Sequence, residues 1–186
     1  MKINYTKTDN TGNVMGYASL TLTSAGEGKV SLTKVTDTGS VKAYFTLNVT
    51  DADTSAIVAI NGCKLMEGSK GTFISMPNRK DTKGEYKDIA FPLSPEGREA
   101  IKKLALEAYN AADASEDKKG TATGELPGDY VVTGVKLVKK NDSDETFVSM
   151  PQRKANDGTY KDVCYPVTKE GRDYIVNGVK GEAALV

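Results

Sequence analysis

The 186-residue sequence contains no histidine and only two cysteines, and these shortages exclude several kinds of chemistry. Without histidine, the chain cannot form His-dependent hydrolytic centres, His general bases or His-containing zinc sites. Cys63 and Cys164 are too far apart for a CxxC motif and too few for a disulfide framework. We expect each to be a small buried apolar residue. The sequence therefore disfavours an enzyme, and it predicts neither a metal nor a cofactor.

Net charge and long apolar segments are also absent. Lys and Arg number 25 and Asp and Glu number 25, which excludes a uniformly basic nucleic-acid coat but permits a local basic patch. No apolar run is long enough for a transmembrane helix. Met1-Lys2-Ile3-Asn4 leads into polar sequence rather than into a signal-peptide core. We therefore expect a cytoplasmic protein that has neither a membrane partner nor a small-molecule substrate.

Repetition is the strongest feature of the sequence. Residues 72–98 read TFISMPNRKDTKGEYKDIAFPLSPEGR, and residues 146–172 read TFVSMPQRKANDGTYKDVCYPVTKEGR. The two segments share 15 identities in 27 positions at a constant offset of 74. A weaker repeat, at an offset of 27, relates the stretches that begin at Thr11 and Thr38, and each continues as a strand with alternating apolar residues. The chain is therefore a duplication of one unit.

The order of the repeated segments predicts how the two units share the chain. Residues 27–112 hold a complete inner unit. Its predicted elements are strands at 30–35, 41–49 and 56–65, the TFISMP strand, a loop, a strand at 86–91 and a helix. The second copy lacks the two early strands, whose equivalents lie at the N-terminus. We predict a discontinuous outer unit of residues 1–26 plus 128–186, with residues 113–127 as a solvated linker. The alternative is two sequential domains with a truncated second one.

A helix follows the second half of each repeat. Ser94 is a suitable N-cap, Pro95 suits the first helical position, and apolar residues then recur with the helical period. In the twin copy Thr168 takes the capping position. There, Asn177-Gly178 predicts an early end to the helix.

The loop after each Met-Pro carries the most concentrated polar signal. A strand, a basic tip, a Gly-containing turn and a second strand predict a hairpin in each copy. Arg and Lys suit phosphate oxygens, and the tip amides suit sugars or bases. Tyr86 and Tyr160 either stack a base or pack across the hairpin, and we favour packing. The candidate nucleic-acid-binding residues are Asn78, Arg79, Lys80, Lys83, Lys87, Gln152, Arg153, Lys154 and Lys161.

These motifs resemble a known family. Met-Pro, a polar residue and two basic residues, followed by Tyr-Lys-Asp-Ile-Ala-x-Pro and a capped helix, resemble the SpoVG family of bacterial septation and sporulation regulators. The resemblance is closest over residues 41–109, while residues 130–176 resemble the second half of the family domain and residues 1–24 its first half. It implies an α+β fold with an antiparallel β-sheet and a C-terminal helix. Here two such units would form an intrachain pseudo-dimer.

The resemblance also implies a function. The family looks like one of nucleic-acid-binding regulators without catalytic activity that normally work as homodimers. The basic residues implicated in the family fall here on Arg79, Lys80, Arg153 and Lys154. We therefore expect a non-enzymatic regulator that binds DNA, with RNA as an alternative. We expect a monomer with an internal pseudo-twofold, or a higher assembly of such monomers. The competing interpretation is a protein-interaction module that kept the fold but lost nucleic-acid binding.

Overall fold

The computed structural model describes residues 1–9, 12–23, 26–36, 38–113 and 118–186, which form fifteen strands and two helices. The elements up to the first helix are β1 (Lys2–Lys7), β2 (Val14–Leu22), β3 (Glu27–Val35), β4 (Val41–Thr50), β5 (Ile57–Gly68), β6 (Gly71–Ser75), β7 (Asn78–Lys80), β8 (Tyr86–Asp88), β9 (Ala90–Pro92) and α1 (Pro95–Asp113). Those that follow are β10 (Thr121–Glu125), β11 (Tyr130–Lys139), β12 (Thr146–Ser149), β13 (Gln152–Lys154), β14 (Tyr160–Asp162), β15 (Cys164–Pro166) and α2 (Lys169–Ala183).

The first main sheet is built around β4. β3, β4 and β5 form an antiparallel meander that β6 extends, while β10 pairs with β3 and β15 pairs with β5. Ala43, Phe45 and Leu47 alternate along β4 and are fully buried. Because side chains of a strand point to opposite faces in turn, this alternation places one face of the sheet on the core.

The second main sheet repeats this arrangement with strands from both ends of the chain. β1, β2 and β11 form the antiparallel centre, β12 extends it, and β9 pairs with β11. β2 repeats the pattern of β4, with Ala18, Leu20 and Leu22 buried. Residues 2–22 thus supply two strands to a sheet whose remaining long strand comes from residues 130–139. On this pairing we propose the discontinuous outer unit that the repeats predict.

Each half of the chain sends one short strand into the sheet of the other half. β9 belongs to the inner copy in sequence but pairs with β11 of the outer copy, where Ala90 lies opposite Val132. β15 crosses in the other direction and pairs with β5, where Cys164 lies opposite Ile60. The single strand predicted over residues 86–91 is therefore divided, because residues 86–88 pair within a hairpin before the chain crosses. The predicted fold class is confirmed: α+β, antiparallel and duplicated into an intrachain pseudo-dimer.

The two sheets and the two helices share one hydrophobic core, to which both halves contribute. α1 buries Ile101, Leu104, Ala105 and Ala108, and α2 buries Ile175 and Val179. Both cysteines are free and buried, as expected. Burial raises the pKa of the Cys164 thiol to about 12.

Both helices begin as predicted. The Ser94 hydroxyl accepts a hydrogen bond from the Gly97 backbone N–H at 3.1 Å, and Thr168 caps α2 in the same way. The early end predicted for α2 is wrong, because the helix continues to Ala183. Gly178 serves close packing instead, since a Cβ there would lie 2.3 Å from Cδ1 of Ile3 in β1. Within the described residues, neither helix is long and apolar enough to span a membrane.

The segment predicted as a solvated linker contains a strand. β10 pairs with β3 and contacts α1. A Cβ on Gly120 would lie only 1.8 Å from the Ala108 carbonyl oxygen, and Leu126 is buried. The glycine content that indicated a linker is thus what lets this strand lie so close to the helix. Residues 114–117 of the predicted linker lie outside the described residues.

The Asp51 carboxylate joins the start of the chain to the inner sheet. It is fully buried and accepts hydrogen bonds from the Met1 amine at 2.9 Å, the Thr23 N–H at 2.7 Å and the Thr54 N–H at 2.9 Å. Burial alone would raise the pKa of Asp51, but these hydrogen bonds outweigh it and lower the pKa to about 2. Burial likewise opposes the Met1 ammonium, yet Asp51 and Asp53 raise its pKa above the ordinary value.

Candidate nucleic-acid interface

Two short hairpins leave the body of the molecule at equivalent positions. The first hairpin comprises residues 78–88, in which β7 pairs with β8. The second hairpin comprises residues 152–162, in which β13 pairs with β14. The sequence also predicts a hairpin here, but with a first strand that ends at Met-Pro and with the basic residues at the tip. That arrangement is wrong, because β6 pairs with β5 and β12 pairs with β11. The basic residues lie instead in β7 and β13, which are the first strands of two smaller hairpins.

Backbone hydrogen bonds close the root of each hairpin. Ile89, which follows the first hairpin, donates its N–H to the Pro77 carbonyl at 2.7 Å. Val163 donates to the Pro151 carbonyl at the same distance. All four residues are buried. Because the next residues on each chain segment are the exchanged strands β9 and β15, both hairpins project from the crossings between the two halves.

The turns of the two hairpins differ in which charged residues they carry. The Asp81 carboxylate accepts hydrogen bonds from the Lys83 N–H at 2.8 Å and lies 3.0 Å from the Lys87 ammonium. The hydrogen bond from Lys87 is the main reason why the pKa of Asp81 lies below its ordinary value. In the second hairpin Ala155 takes the position of Asp81. Within the described residues, no carboxylate forms an ion pair with Lys161, the equivalent of Lys87.

In each hairpin two cations face each other across the strands. Arg79 lies directly opposite Lys87, and Arg153 lies directly opposite Lys161. Directly opposite side chains share one face of the ribbon, and like charges there destabilise the pairing by up to about 1 kcal/mol. Each hairpin therefore has two like charges on one face, and their repulsion destabilises the isolated hairpin.

The hairpin tyrosines occupy the other face of the ribbon. Tyr86 lies opposite Lys80 and Tyr160 opposite Lys154. The two tyrosines are 68% and 65% exposed, so neither belongs to the core. The Lys80 ammonium lies 5.1 Å from the centroid of the Tyr86 ring. In the first hairpin, the cross-strand packing that the sequence favours takes the form of a cation over an aromatic ring.

Each hairpin arginine lies over the central strand of the opposite half. A Cβ built on Gly134 of β11 would lie 3.0 Å from Nη1 of Arg79, and one on Gly62 of β5 would lie 3.7 Å from Nη2 of Arg153. Both glycines sit where the strand register shifts, with φ of 79° and 80°. The repeated Gly-x-Lys-Leu motif contains both, and an isolated glycine within a strand indicates a bulge or a close approach. That signal could have identified them from sequence.

The remaining candidate residues lie on or beside the same hairpins. The Asn78 amide donates to the Met76 carbonyl at 3.4 Å, and the Gln152 amide donates to the Asp162 carboxylate at 2.8 Å. Lys83 is exposed in the first turn. The structure therefore groups the nine candidates into two sets: Asn78, Arg79, Lys80, Lys83 and Lys87 in the first hairpin, and Gln152, Arg153, Lys154 and Lys161 in the second.

An ion pair lies at the base of the first hairpin. Asp88, at the base of the first hairpin, lies 3.7 Å from the Arg98 guanidinium. Burial raises the pKa of Asp88, and Arg98 opposes that rise. Across the part of the chain that the structure describes, no three residues are grouped as metal ligands would be. The exposed groups include the cations and the tip amide, which suit phosphate oxygens and the edges of bases, as well as two tyrosines and the carboxylates of Glu85 and Asp157.

The fold is a duplicated α+β unit, and each copy has one helix and one basic hairpin. Sequence comparison also finds two copies of one unit. The family model of SpoVG matches the chain twice, over residues 27–111 and 110–182. Together the two matches cover most of the chain, and this protein belongs to the SpoVG family.

Individual relatives match over single copies. A protein of Lachnospira eligens that carries the septation-protein name SpoVG is 45% identical over 58 residues, which are 31% of this chain and 66% of the relative. A namesake from Clostridium beijerinckii is 46% identical over 61 residues, or 33% of this chain and 67% of the relative. A third, from Heliobacterium modesticaldum, is 46% identical over 56 residues, or 30% of this chain and 63% of the relative. The chain thus spans about two thirds of the length of these relatives. No solved structure matches the chain.

Proposed function

We propose that this protein is a non-catalytic regulator that binds DNA through its two basic hairpins, with RNA as the alternative target. The observation that supports the proposal is the cation pair found in both hairpins, Arg79 with Lys87 and Arg153 with Lys161. Such pairs weaken a hairpin in isolation, but a bound phosphate between them turns repulsion into attraction.

The position of the two arginines adds to this support. Arg79 and Arg153 each lie against a backbone glycine of the opposite half, which restricts where their guanidinium groups can go. A side chain that is already restricted loses less conformational entropy when it binds phosphate. The names of the SpoVG relatives refer to septation, so we propose that the regulated process is septation or sporulation.

The salt dependence of binding tests the hairpin proposal. Each phosphate contact adds roughly 0.9 to the slope of log affinity against log salt on duplex DNA, so four contacts supply about 3 to 4 units. The double variant Arg79→Ala/Lys80→Ala should remove about half of that slope, and Arg153→Ala/Lys154→Ala a similar part. These exposed substitutions should change the free energy of unfolding by less than about 0.5 kcal/mol each.

A matched control removes two cations elsewhere. Lys139 and Lys140 are exposed and form ion pairs with Asp144 and Glu145 at the β11–β12 turn. Their replacement by Ala should leave the slope unchanged. An unchanged slope in the folded quadruple hairpin variant would contradict the proposal and favour the protein-interaction module, since a neutral protein then binds DNA only weakly and through no particular residues.

The difference between the two turns gives a variant that should gain affinity. Asp81→Ala copies Ala155 of the second hairpin and frees Lys87 from its ion pair. We expect the slope to rise by about one unit, because one more cation becomes available for a phosphate. Asp144→Ala is the control, because it frees Lys139 away from the hairpins. A gain of the same size in both variants would indicate a general effect of net charge.

A further inference from the structure

The solvent face of the outer sheet carries an aromatic residue that the hairpin proposal does not use. Tyr17 on β2 lies opposite Thr6 on β1 and opposite Lys136 on β11. It is 42% exposed, whereas its neighbour Ala18 points to the other face and is buried. The ring of Tyr17 therefore stands on the solvent face, next to a cation on the adjacent strand.

Arg79 of the first hairpin reaches the same face. An open cavity of about 290 Å³ lies between the hairpin and the strands. Its side-chain lining consists of Asn4, Thr6, Tyr17, Ser19, Arg79 and Thr133. An aromatic ring, a guanidinium group and short polar side chains thus surround one opening.

The strands around this opening carry no negative charge. β1, β2, β9, β11 and β12 lie wholly within the described residues, and their sequences contain neither Asp nor Glu. Their charged residues are Lys2, Lys7, Lys136 and Lys139. Lys139 is paired with Asp144 of the β11–β12 turn, which leaves Lys2, Lys7 and Lys136 as the cations of these strands. On a chain whose net charge is zero, strands whose remaining charged residues are all positive complement a polyanion.

We propose that Tyr17 stacks with one base of an unpaired nucleic-acid strand, while Arg79 and Lys136 hold the phosphates beside that base. The proposal rests on the proposed function and specifies the form of nucleic acid that this face takes. A base within a duplex has both faces covered by its neighbours, so only an unpaired base can stack on a side chain. Asn4 and Ser19 can then hydrogen-bond the edge of the base.

The equivalent tyrosine of the inner sheet is an internal control. Tyr44 on β4 lies opposite Lys64 on β5, as Tyr17 lies opposite Lys136. Tyr44 is half-buried, and the Lys64 ammonium lies over its ring, 5.9 Å from the centroid. Because a cation already occupies the ring face, Tyr44 should not take a base.

Binding of a labelled oligothymidylate, measured by fluorescence anisotropy, tests this assignment. Tyr17→Leu should weaken binding roughly 5- to 100-fold, as loss of one stacked base does. Tyr17→Phe should stay within about twofold of the unsubstituted protein because it keeps the ring, and Tyr44→Leu should do the same. An abasic oligomer of the same length should bind Tyr17→Leu and the unsubstituted protein equally. Thermal unfolding confirms that each variant is folded.

The outcomes separate this assignment from the hairpin proposal. If Tyr17→Leu binds oligothymidylate as tightly as the unsubstituted protein while the hairpin variants lose their salt slope, the stacking site is refuted and the hairpins stand. If Tyr17→Leu loses affinity while Arg153→Ala/Lys154→Ala leaves the salt slope unchanged, the stacking site stands and the proposal of paired hairpins fails, because Arg79 belongs to both sites and Arg153 only to the hairpins. Equal losses of affinity in Tyr17→Leu and Tyr44→Leu would overturn the stacking assignment. A change in molecular mass of Tyr17→Leu by light scattering, without a change in its binding, would also overturn it, because the face that carries Tyr17 would then contact a second copy of the chain.

Discussion

The Arg79 guanidinium lies against Gly134, a residue of the opposite half, so closely that a Cβ at position 134 would push it by a few tenths of an ångström. Its Nη1 would be 3.0 Å from a Cβ at position 134, whereas the matching distance from Arg153 to position 62 is 3.7 Å. The first contact is tighter than ordinary packing allows, and the second is ordinary. The two halves therefore have the same arginine–glycine contact, but the contact of Arg79 is closer than that of Arg153.

Alanine at these two glycines should separate backbone strain from the position of the arginine. Gly134→Ala and Gly62→Ala both place a side chain at positive φ, which should cost roughly 1 kcal/mol in the free energy of unfolding. Gly134→Ala would move Nη1 of Arg79 by a few tenths of an ångström, whereas Gly62→Ala leaves Arg153 at an ordinary contact distance. Only Gly134→Ala should therefore lower the salt slope, and by less than the one unit that a whole phosphate contact supplies. Urea unfolding and salt titrations measure the two effects. Equal slopes in the two variants would mean that the contact between Arg79 and position 134 does not affect binding.

Asp51 should be the most sensitive charged residue for stability. Asp51→Asn leaves the Met1 ammonium without its buried partner, and we expect a loss of about 3 kcal/mol. For a chain of this size that loss lowers Tm by about 6–12 °C. Asp53→Asn is the control, because the Asp53 side chain is 61% exposed and solvent screens its ion pair, so it should cost far less stability than Asp51→Asn. Calorimetry of the two variants measures the difference.

The ion pair between Asp51 and the Met1 amine also predicts how the free energy of unfolding depends on pH. The pKa of Asp51 is lowered from 3.8 to about 2, so its contribution is present above pH 4 and is lost as pH falls towards 2. The loss amounts to roughly 2 kcal/mol. The pKa of the Met1 amine is raised from 8.0, so its contribution is complete below pH 8 and is lost as pH rises through the folded-state pKa. In Asp51→Asn the acid-dependent loss should be smaller, and urea midpoints measured across the pH range test this.

Gly120 tests whether β10 is a packed strand. Gly120→Ala would place a Cβ against the Ala108 carbonyl, so we expect a loss of about 1–3 kcal/mol. A Cβ on Gly181 in α2 meets nothing within 4 Å, and Gly181→Ala should be neutral or stabilising by up to about 1 kcal/mol. Denaturant unfolding compares them. A solvated linker, as the sequence alone predicts, would give no loss for Gly120→Ala.

Light scattering should show a monomer of 19.9 kDa. The exchanges of β9 and β15 already take place within one chain, so the hydrogen bonds that these strands make need no second chain. Dilution over a wide concentration range should leave the mass unchanged. A dimer that dissociates on dilution would show that the chains also associate through another surface.

The sequence by itself determines the local structure of this protein. Fifteen identities over residues 72–98 and their twins require two copies of one unit, and the alternation in β2 and β4 requires strands with one buried face. Ser94 and Thr168 mark where the helices begin. Two basic residues after Met-Pro and a glycine turn indicate a hairpin in each copy, although the sequence places its first strand before Met-Pro and the structure places it after. These features depend on neighbours in the chain, and neighbours are what a sequence displays.

Only the tertiary structure decided which distant segments meet. Gly178 suggests a helix end until Ile3 is seen to pack against it, and Gly120 suggests a linker until α1 is seen beside it. The Arg79–Gly134 contact and the exposed face of Tyr17 depend on the exchange of β9 into the opposite sheet. A glycine has the same appearance in sequence whether it loosens a chain or permits a close approach, because the atoms that would collide with its missing Cβ belong to residues far away in the chain.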